Sequence, residues 1–232
     1  MCARYTLRRA QLARAVFEAL TTPDFEEFSE RPHFNMAPSQ RLPIVRINSK
    51  GDRILETPAW GFIPSWAKSL PKIRPCNARS ETLATGRLFR TALSRHRCLI
   101  PADGFYEWTG EKKARQPYFV HMRDDSLFAF GGLYDRWKTP DGQSLETFTM
   151  ITTPPNTLMS TLHNRMPLIL KPTDYARWLD PKGGLDTVND LLEPYPDDPM
   201  EAYPVSTKVN SPKNQGEELV QKFVKQKEGL FD

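Results

Sequence analysis

An α+β domain built on a curved or barrel-like, mostly antiparallel β-sheet with short flanking helices is the fold class this sequence predicts. Three observations predict it. Twenty-one prolines are spread through 232 residues, which leaves little room for long helices. Short runs rich in β-branched and aromatic residues recur between residues 44 and 170. No internal repeat or linker-like low-complexity segment divides the chain, so one domain over residues 1–232 is expected.

A first helix is predicted over about residues 8–20, with Leu12, Val16, Phe17 and Leu20 on one face. Pro23 and the acidic stretch behind it read as its end. Strands are predicted at 44–47, 53–60, 98–100, 118–122, 127–133, 147–152 and 166–170. Asp141-Gly142 suits a tight turn between two of them. Short helices are predicted over 82–93, 173–179, 185–192 and 217–226. The stretch from Tyr203 to Asn210 is expected to close the sheet and to add backbone contacts to the site.

Composition narrows the function. A hydrophobic share of 39% supports a real core, and 26% charged residues argue for solubility. The net charge of +4 permits an anionic partner without requiring one. Cys2, Cys76 and Cys98 are odd in number and form no CxxC pair. That argues against a disulfide framework or a thiolate zinc site and for a reducing compartment. No apolar signal stretch opens the chain, and no apolar run reaches the ~18 residues of a membrane span. The expectation is a monomer with no membrane partner, cytoplasmic and nucleoid-associated in a bacterium, or nuclear in a eukaryote. No histidine pair has ligand spacing such as HExxH, so no metal is expected.

Five segments carry chemistry. Cys2 stands directly behind Met1. Trimming Met1 leaves an α-amine and a thiol two carbons apart. The amine of such an aminothiol condenses with an aldehyde to a Schiff base, and the thiol then closes a five-membered thiazolidine. An α-amine titrates near ~7.7–8.0 against ~10.4 for Lys, so a neutral fraction exists at neutral pH. Taken alone, the position reads more readily as an ordinary frayed terminus. In Pro75-Cys76-Asn77-Ala78-Arg79-Ser80-Glu81-Thr82, extended backbone precedes Asn77 and a helix comes after it. Asn77 and Arg79 there either receive an anion or orient a substrate, or Asn77 or Ser80 merely caps the helix. Glu107 lies in Phe105-Tyr106-Glu107-Trp108, whose bulky neighbours on both faces favour a partly buried carboxylate suited to general acid chemistry over a solvent-facing one. His163 is a candidate proton shuttle, and Arg165 a candidate phosphate contact or structural ion-pair partner. Trp66, on a Pro-containing loop, is the exposed candidate for stacking on an unpaired base, whereas Trp60 reads as core.

Together these segments resemble the SRAP (SOS response-associated peptidase) family of abasic-site shielding and processing proteins. The matching pieces run in order over nearly the whole chain: Cys2 with Arg4, Asn35 to Pro38, Trp60-Gly61 with Pro64 and Trp66, Asn77-Ala78-Arg79 with Glu81-Thr82, Gly104 to Trp108, His163 with Arg165 to Leu170, and Pro204-Val205-Ser206 with Val209-Asn210. The resemblance implies a covalent thiazolidine between Cys2 and the ring-opened abasic deoxyribose of single-stranded DNA or of a single-strand/double-strand junction. It implies lyase and cross-link reversal activity and no cofactor. Asn77 would hold the Cys2 amine and thiol, Glu107 would act as general acid/base, and His163 would assist ring opening and proton transfer. Arg4 and Arg79 would grip phosphates, with Thr152 as a weaker candidate, and Pro38 and Trp66 would wedge and stack against bases. Ala3 departs from the Gly that family members often carry after the cysteine, which crowds a turn if that position needs positive φ. Two other readings stand beside this one: an autopeptidase using Cys2 as an N-terminal nucleophile, and a non-catalytic single-stranded nucleic-acid-binding module.

Overall fold

The computed structural model describes residues 3–111 and 114–223. The chain opens with β1 (Tyr5–Leu7) and a short α1 (Ala13–Val16), then β2 (Leu20–Thr21), α2 (Pro23–Ser29), β3 (His33–Met36), β4 (Ile44–Ile47), β5 (Arg53–Glu56), β6 (Ala59–Trp60) and β7 (Asn77–Arg79). After α3 (Arg90–Arg95) come the longer strands β8 (Arg97–Ala102), β9 (Gly104–Thr109), β10 (Gln116–Met122), β11 (Phe128–Lys138) and β12 (Ser144–Thr153). The chain closes with α4 (Thr157–Ser160), β13 (Met166–Pro167), β14 (Ile169–Leu170), α5 (Tyr175–Leu179) and β15 (Met200–Pro204).

The strands form two sheets. The smaller has the order β15-β10-β9-β1-β3 and is antiparallel throughout. The larger runs β13-β12-β11-β8-β4-β5-β2, with β14 added on β11 and with β6 and β7 parallel to β12. One continuous stretch joins them. β8 lies in the larger sheet and β9 in the smaller, with only Asp103 between. Asp103 is fully buried and fixes this corner. It accepts hydrogen bonds from the Thr6 hydroxyl at 2.5 Å, the Arg8 backbone N–H at 2.6 Å and Arg8 Nε at 3.1 Å. Gly104 comes next because a Cβ there would sit 2.2 Å from the Phe119 ring.

Alternation along the strands sorts side chains into three apolar clusters. Between the sheets lie Tyr5, Met36, Trp60, Ile100, Phe105, Phe130, Phe148 and their neighbours. On the other face of the larger sheet, Val45, Leu99, Leu133 and Ile151 pack with Phe17, Phe25, Leu93 and Trp178 from the helical segments. Outside the smaller sheet, Tyr106 and Phe119 pack with Val205, Val209 and Leu219.

The predicted fold class holds: a strand-dominated, curled, half-barrel architecture with few short helices. The strand predicted at 44–47 coincides with β4, and Gly142, at φ +85°, makes the turn between β11 and β12. The helices needed correction. In place of one helix over 8–20 there is a 3-10 turn (Ala10–Leu12) and the single turn of α1. Ala10, Ala13 and Phe17 face inward, while Leu12, Val16 and Leu20 are exposed. The tighter 3-10 turn shifts the helical phase, and Glu18 at φ +48° ends the segment, with Ala19 N–H closing back on the Arg14 carbonyl. Pro23 starts a helix instead of ending one. It occupies the first turn of α2, with Asp24 and Glu26 beside it at the positive end of the helix dipole. The stretch 82–93 splits into a 3-10 turn (Ser80–Thr82) and α3, with Gly86 between. The stretch 185–192 is two 3-10 turns, and 217–226 yields one (Glu217–Leu219) before the described residues end at Phe223.

Candidate functional site

Glu107 is positioned by β9. Phe105 belongs to the cluster between the sheets, and Tyr106 and Trp108 belong to the outer one. Glu107 therefore shares the inward face with Phe105. It is only 3% exposed, as the flanking aromatics led one to expect. One of its oxygens accepts the Trp108 backbone N–H at 3.2 Å. β1 runs antiparallel beside it, with Tyr5 opposite Phe105 and the Tyr106 N–H on the Arg4 carbonyl at 3.0 Å. This register carries Ala3 alongside Glu107. Cys2 itself lies outside the described residues.

Asn77 opens β7, which runs parallel to β12 with Asn77 opposite Met150. The preceding Cys76 packs on the cluster between the sheets, and its carbonyl accepts the Trp60 indole N–H at 2.8 Å and the Met150 N–H at 3.0 Å. Burial pushes the Cys76 thiol up. The Asn77 amide donates to Cys76 Sγ at 3.5 Å. A chain of contacts links this strand to Glu107. Tyr5, across from Phe105, meets Trp60 edge-on at 5.4 Å, and Trp60 holds Cys76.

His163 ends the turn after α4. Asn156 caps that helix through the Met159 N–H at 2.8 Å, and Met159 and Leu162 anchor the segment on the cluster between the sheets. His163 Nδ1 accepts the Arg165 backbone N–H at 3.0 Å, so the neutral ring carries its proton on Nε2. The Arg165 guanidinium forms a two-pronged ion pair with Glu81 and donates to the Thr152 carbonyl at 2.6 Å. Arg165 holds the Glu81 carboxyl below the usual carboxylate range. Of the two roles open to Arg165, the ion-pair role is the one its contacts occupy. Thr152, the weaker phosphate candidate, is fully buried and its hydroxyl bonds to the Ala78 carbonyl at 3.4 Å.

The remaining candidates lie around the rim. Arg4 donates to Asn35 Oδ1 at 3.0 Å and to the carbonyls of Val209 at 2.9 Å and Asn210 at 3.2 Å. Asn35 is fully buried and ties β3 to the segment 209–214 through three carbonyls. Arg79 is exposed at the end of β7 and has no ion-pair partner among the described residues. Pro38 is half-buried, and the next residue, Ser39, holds the Trp60 carbonyl at 2.8 Å. Trp60 is core and Trp66 is 62% exposed, as the sequence indicated. Sequence reading did not single out Asp135, which holds the Trp66 loop by accepting the Ser65 N–H at 2.7 Å. Burial works against its charge, but bonds from His96, Ser65 and Arg136 prevail and keep its carboxyl below the usual range. An acid in an otherwise apolar and aromatic strand was the available signal. The cleft beside α2, about 750 Å³ and lined by Asp24, Glu27, Arg31, His33 and Arg41, contains none of the candidates. No group of three His, Cys, Asp or Glu side chains among the described residues is placed to hold a metal.

Phe105, Cys76 and Leu162, chain neighbours of Glu107, Asn77 and His163, all pack on the cluster between the sheets. Comparison with known proteins gives the chain its family. The profile of the SOS response associated peptidase (SRAP) family matches residues 1–212. The chain is 43% identical over 226 residues to the abasic site processing protein YoqW of Bacillus subtilis, covering 95% of this chain and 99% of that protein. It is 30% identical to the abasic site processing protein HMCES of Xenopus tropicalis, covering 79% of this chain and 64% of that one. A crystal structure of a protein from Bacteroides thetaiotaomicron superposes with a TM-score of 0.86 at 28% identity, over 96% of this chain and all of that one. This chain belongs to the SOS response associated peptidase (SRAP) family.

Proposed function

We propose that the protein processes abasic sites in single-stranded DNA by trapping the lesion's aldehyde on Cys2 once Met1 is removed. The observation that carries this reading is the inward, buried Glu107 beside the strand that brings in the start of the chain. An abasic deoxyribose is mostly a closed hemiacetal, and opening it requires a proton on the ring oxygen and loss of one from the anomeric hydroxyl. Glu107 and His163 Nε2–H are the acid/base groups for that exchange. The Cys2 amine then adds to the aldehyde carbon, and loss of water gives the Schiff base. The thiol adds to the same carbon, its proton passes to the nitrogen, and the thiazolidine closes with no oxidant or cofactor. Reversal takes the same path backward. Alternatively, removal of a proton from the carbon next to the Schiff base expels the 3′ phosphate, which is the lyase outcome. Asn77 orients the Cys2 groups, and Arg79 and Trp66 take a phosphate and a base. Arg4, Thr152 and Arg165 hold the strands that carry the site.

Protein whose mass confirms that it begins at Cys2, mixed with single-stranded DNA bearing one abasic site, yields a band that survives denaturation and has the mass of protein plus DNA. Cys2→Ala yields none while still binding DNA. Absence of the adduct with the trimmed protein rejects the trapping mechanism. Peptide cleavage beyond Met1 removal would favour the autopeptidase reading, and full function in Cys2→Ala would favour the binding module.

A further inference from the structure

A hydrogen-bonded unit on the outer side of the smaller sheet gathers the chain neighbours of two reacting groups. Its hub is Asn35, fully buried on β3. The Asn35 amide donates to the carbonyls of Val209 at 3.1 Å, Ser211 at 2.9 Å and Asn214 at 3.2 Å. The Gln215 side chain closes the unit. Its oxygen accepts the Phe34 and Asn35 N–H groups, each at 3.2 Å, and its amide donates to the Asn35 carbonyl at 3.0 Å. Gln215 thereby covers the edge of β3 where a further strand would pair. Three side chains from elsewhere end on this unit. Arg4, two residues after Cys2, donates to Asn35 Oδ1 at 3.0 Å and to the Val209 and Asn210 carbonyls at 2.9 and 3.2 Å. Tyr106 and Trp108 stand on either side of Glu107. The Tyr106 hydroxyl donates to the Phe34 carbonyl at 2.8 Å, and the Trp108 indole donates to Asn210 Oδ1 at 2.7 Å. The end of a chain frays unless something ties it down. Two residues span at most about 7 Å, so the anchorage of Arg4 bounds the reach of Cys2. A nucleophile and a proton carrier work together only when one geometry holds both.

We propose that Asn35 and Asn210 are positioning residues. With the segment from Val209 to Gln215 they clamp the start of the chain and β9 to one another, so that Cys2 is presented to Glu107. The proposal rests on the aldehyde-trapping reading and concerns how two of its groups are aligned. Asn35→Ala takes the shared donor from three carbonyls and costs stability as well as position. Asn210 is exposed, so Asn210→Ala keeps the wild-type melting temperature. It removes the bond to Trp108 and leaves the carbonyl that holds Arg4. Asn210→Asp keeps an oxygen acceptor for the indole.

Rates of adduct formation are followed against DNA concentration, with protein that begins at Cys2 and single-stranded DNA bearing one abasic site. Asn210→Ala lowers the maximal rate by roughly tenfold and Asn35→Ala by up to about a hundredfold, while the half-saturating DNA concentration stays within about twofold of wild type. Asn210→Asp keeps the wild-type maximal rate. In the Glu107→Gln background Asn210→Ala slows the reaction no further, because the carrier it aligns is gone. An unchanged maximal rate in Asn210→Ala would overturn the proposal. So would equal losses in Asn210→Ala and Asn210→Asp, or a full further loss in the Glu107→Gln background. Amide hydrogen exchange separates the clamp from the chemistry. Residues 4–8 and 105–109 exchange faster in Asn35→Ala than in wild type, while β11 and β12 keep their protection. Exchange that is unchanged, or faster throughout the protein, overturns the clamp. If the wild-type protein makes no adduct but this local loss of protection is seen, the trapping mechanism fails and the clamp stands.

Discussion

The site is made of ordinary side chains given unusual surroundings. Glu107 differs from the chain's other described glutamates in being almost fully enclosed at a strand position that faces the interior. Glu107→Gln keeps the shape and removes the proton carrier. Adduct formation should slow by about 10²-fold or more while noncovalent affinity for single-stranded DNA stays at the wild-type value, as followed by quenched time courses on denaturing gels. Glu81 acts through Arg165. Its folded pKa is lowered, so its contribution to stability is present above the unfolded value and is lost as pH falls through the folded one. Its side chain is 49% exposed, and solvent screening keeps the effect to about 1 kcal/mol or less. Urea denaturation of Glu81→Gln and wild type should differ by that amount near neutrality and converge once the pH has fallen below the lowered folded value.

At the scale of elements, the decisive piece is the bent stretch β8–Asp103–β9. It carries backbone pairing from one sheet to the other and aims Glu107 inward two residues past Phe105. Its geometry depends on the absence of a side chain at Gly104. Gly104→Ala drives a methyl into the Phe119 ring, 2.2 Å away, and should destabilise by about 1–3 kcal/mol, read from the denaturation midpoint. The long strands were legible because period-2 patterning over several residues is a strong signal, as at β10, β11 and β12. The short helical segments were not. α1 comes directly after a 3-10 turn, so a 3.6-residue period cannot describe its face. Pro23 looked like a stop because a proline ends the helix before it and begins the helix after it equally well. Only the packing of Phe25 into the core selects the second role. β1, β3 and β7 have three or four residues each, too few for alternation to register.

For the whole molecule, the charge balance matters less than where charge is left unpaired. The net charge of +4 is modest, and Arg8, Arg46, Arg136, Arg165 and Arg177 are spent on internal ion pairs. Arg79 is not, and it stands beside the site strand. Arg79→Ala should weaken noncovalent binding of single-stranded DNA at every sequence alike and reduce its salt slope by about 0.7, measured by anisotropy titrations. The two sheets and the corner between them enclose an apolar cluster that includes Trp60.

The sequence by itself determined the strand-rich fold class, the family, and the residue types present: a cysteine behind Met1, a carboxylate among aromatics, and a histidine before an apolar strand. Each of these depends on residue type and near neighbours, which a sequence states directly. Tertiary structure alone decided which candidate arginines remain available. Arg165 is paired to Glu81, 84 residues away, and Arg4 bonds carbonyls more than 200 residues on. It also decided that Thr152 is buried and that Asp135 holds the Trp66 loop. Such partners are set by sheet register and by chain crossings far apart in sequence, and no local pattern encodes them.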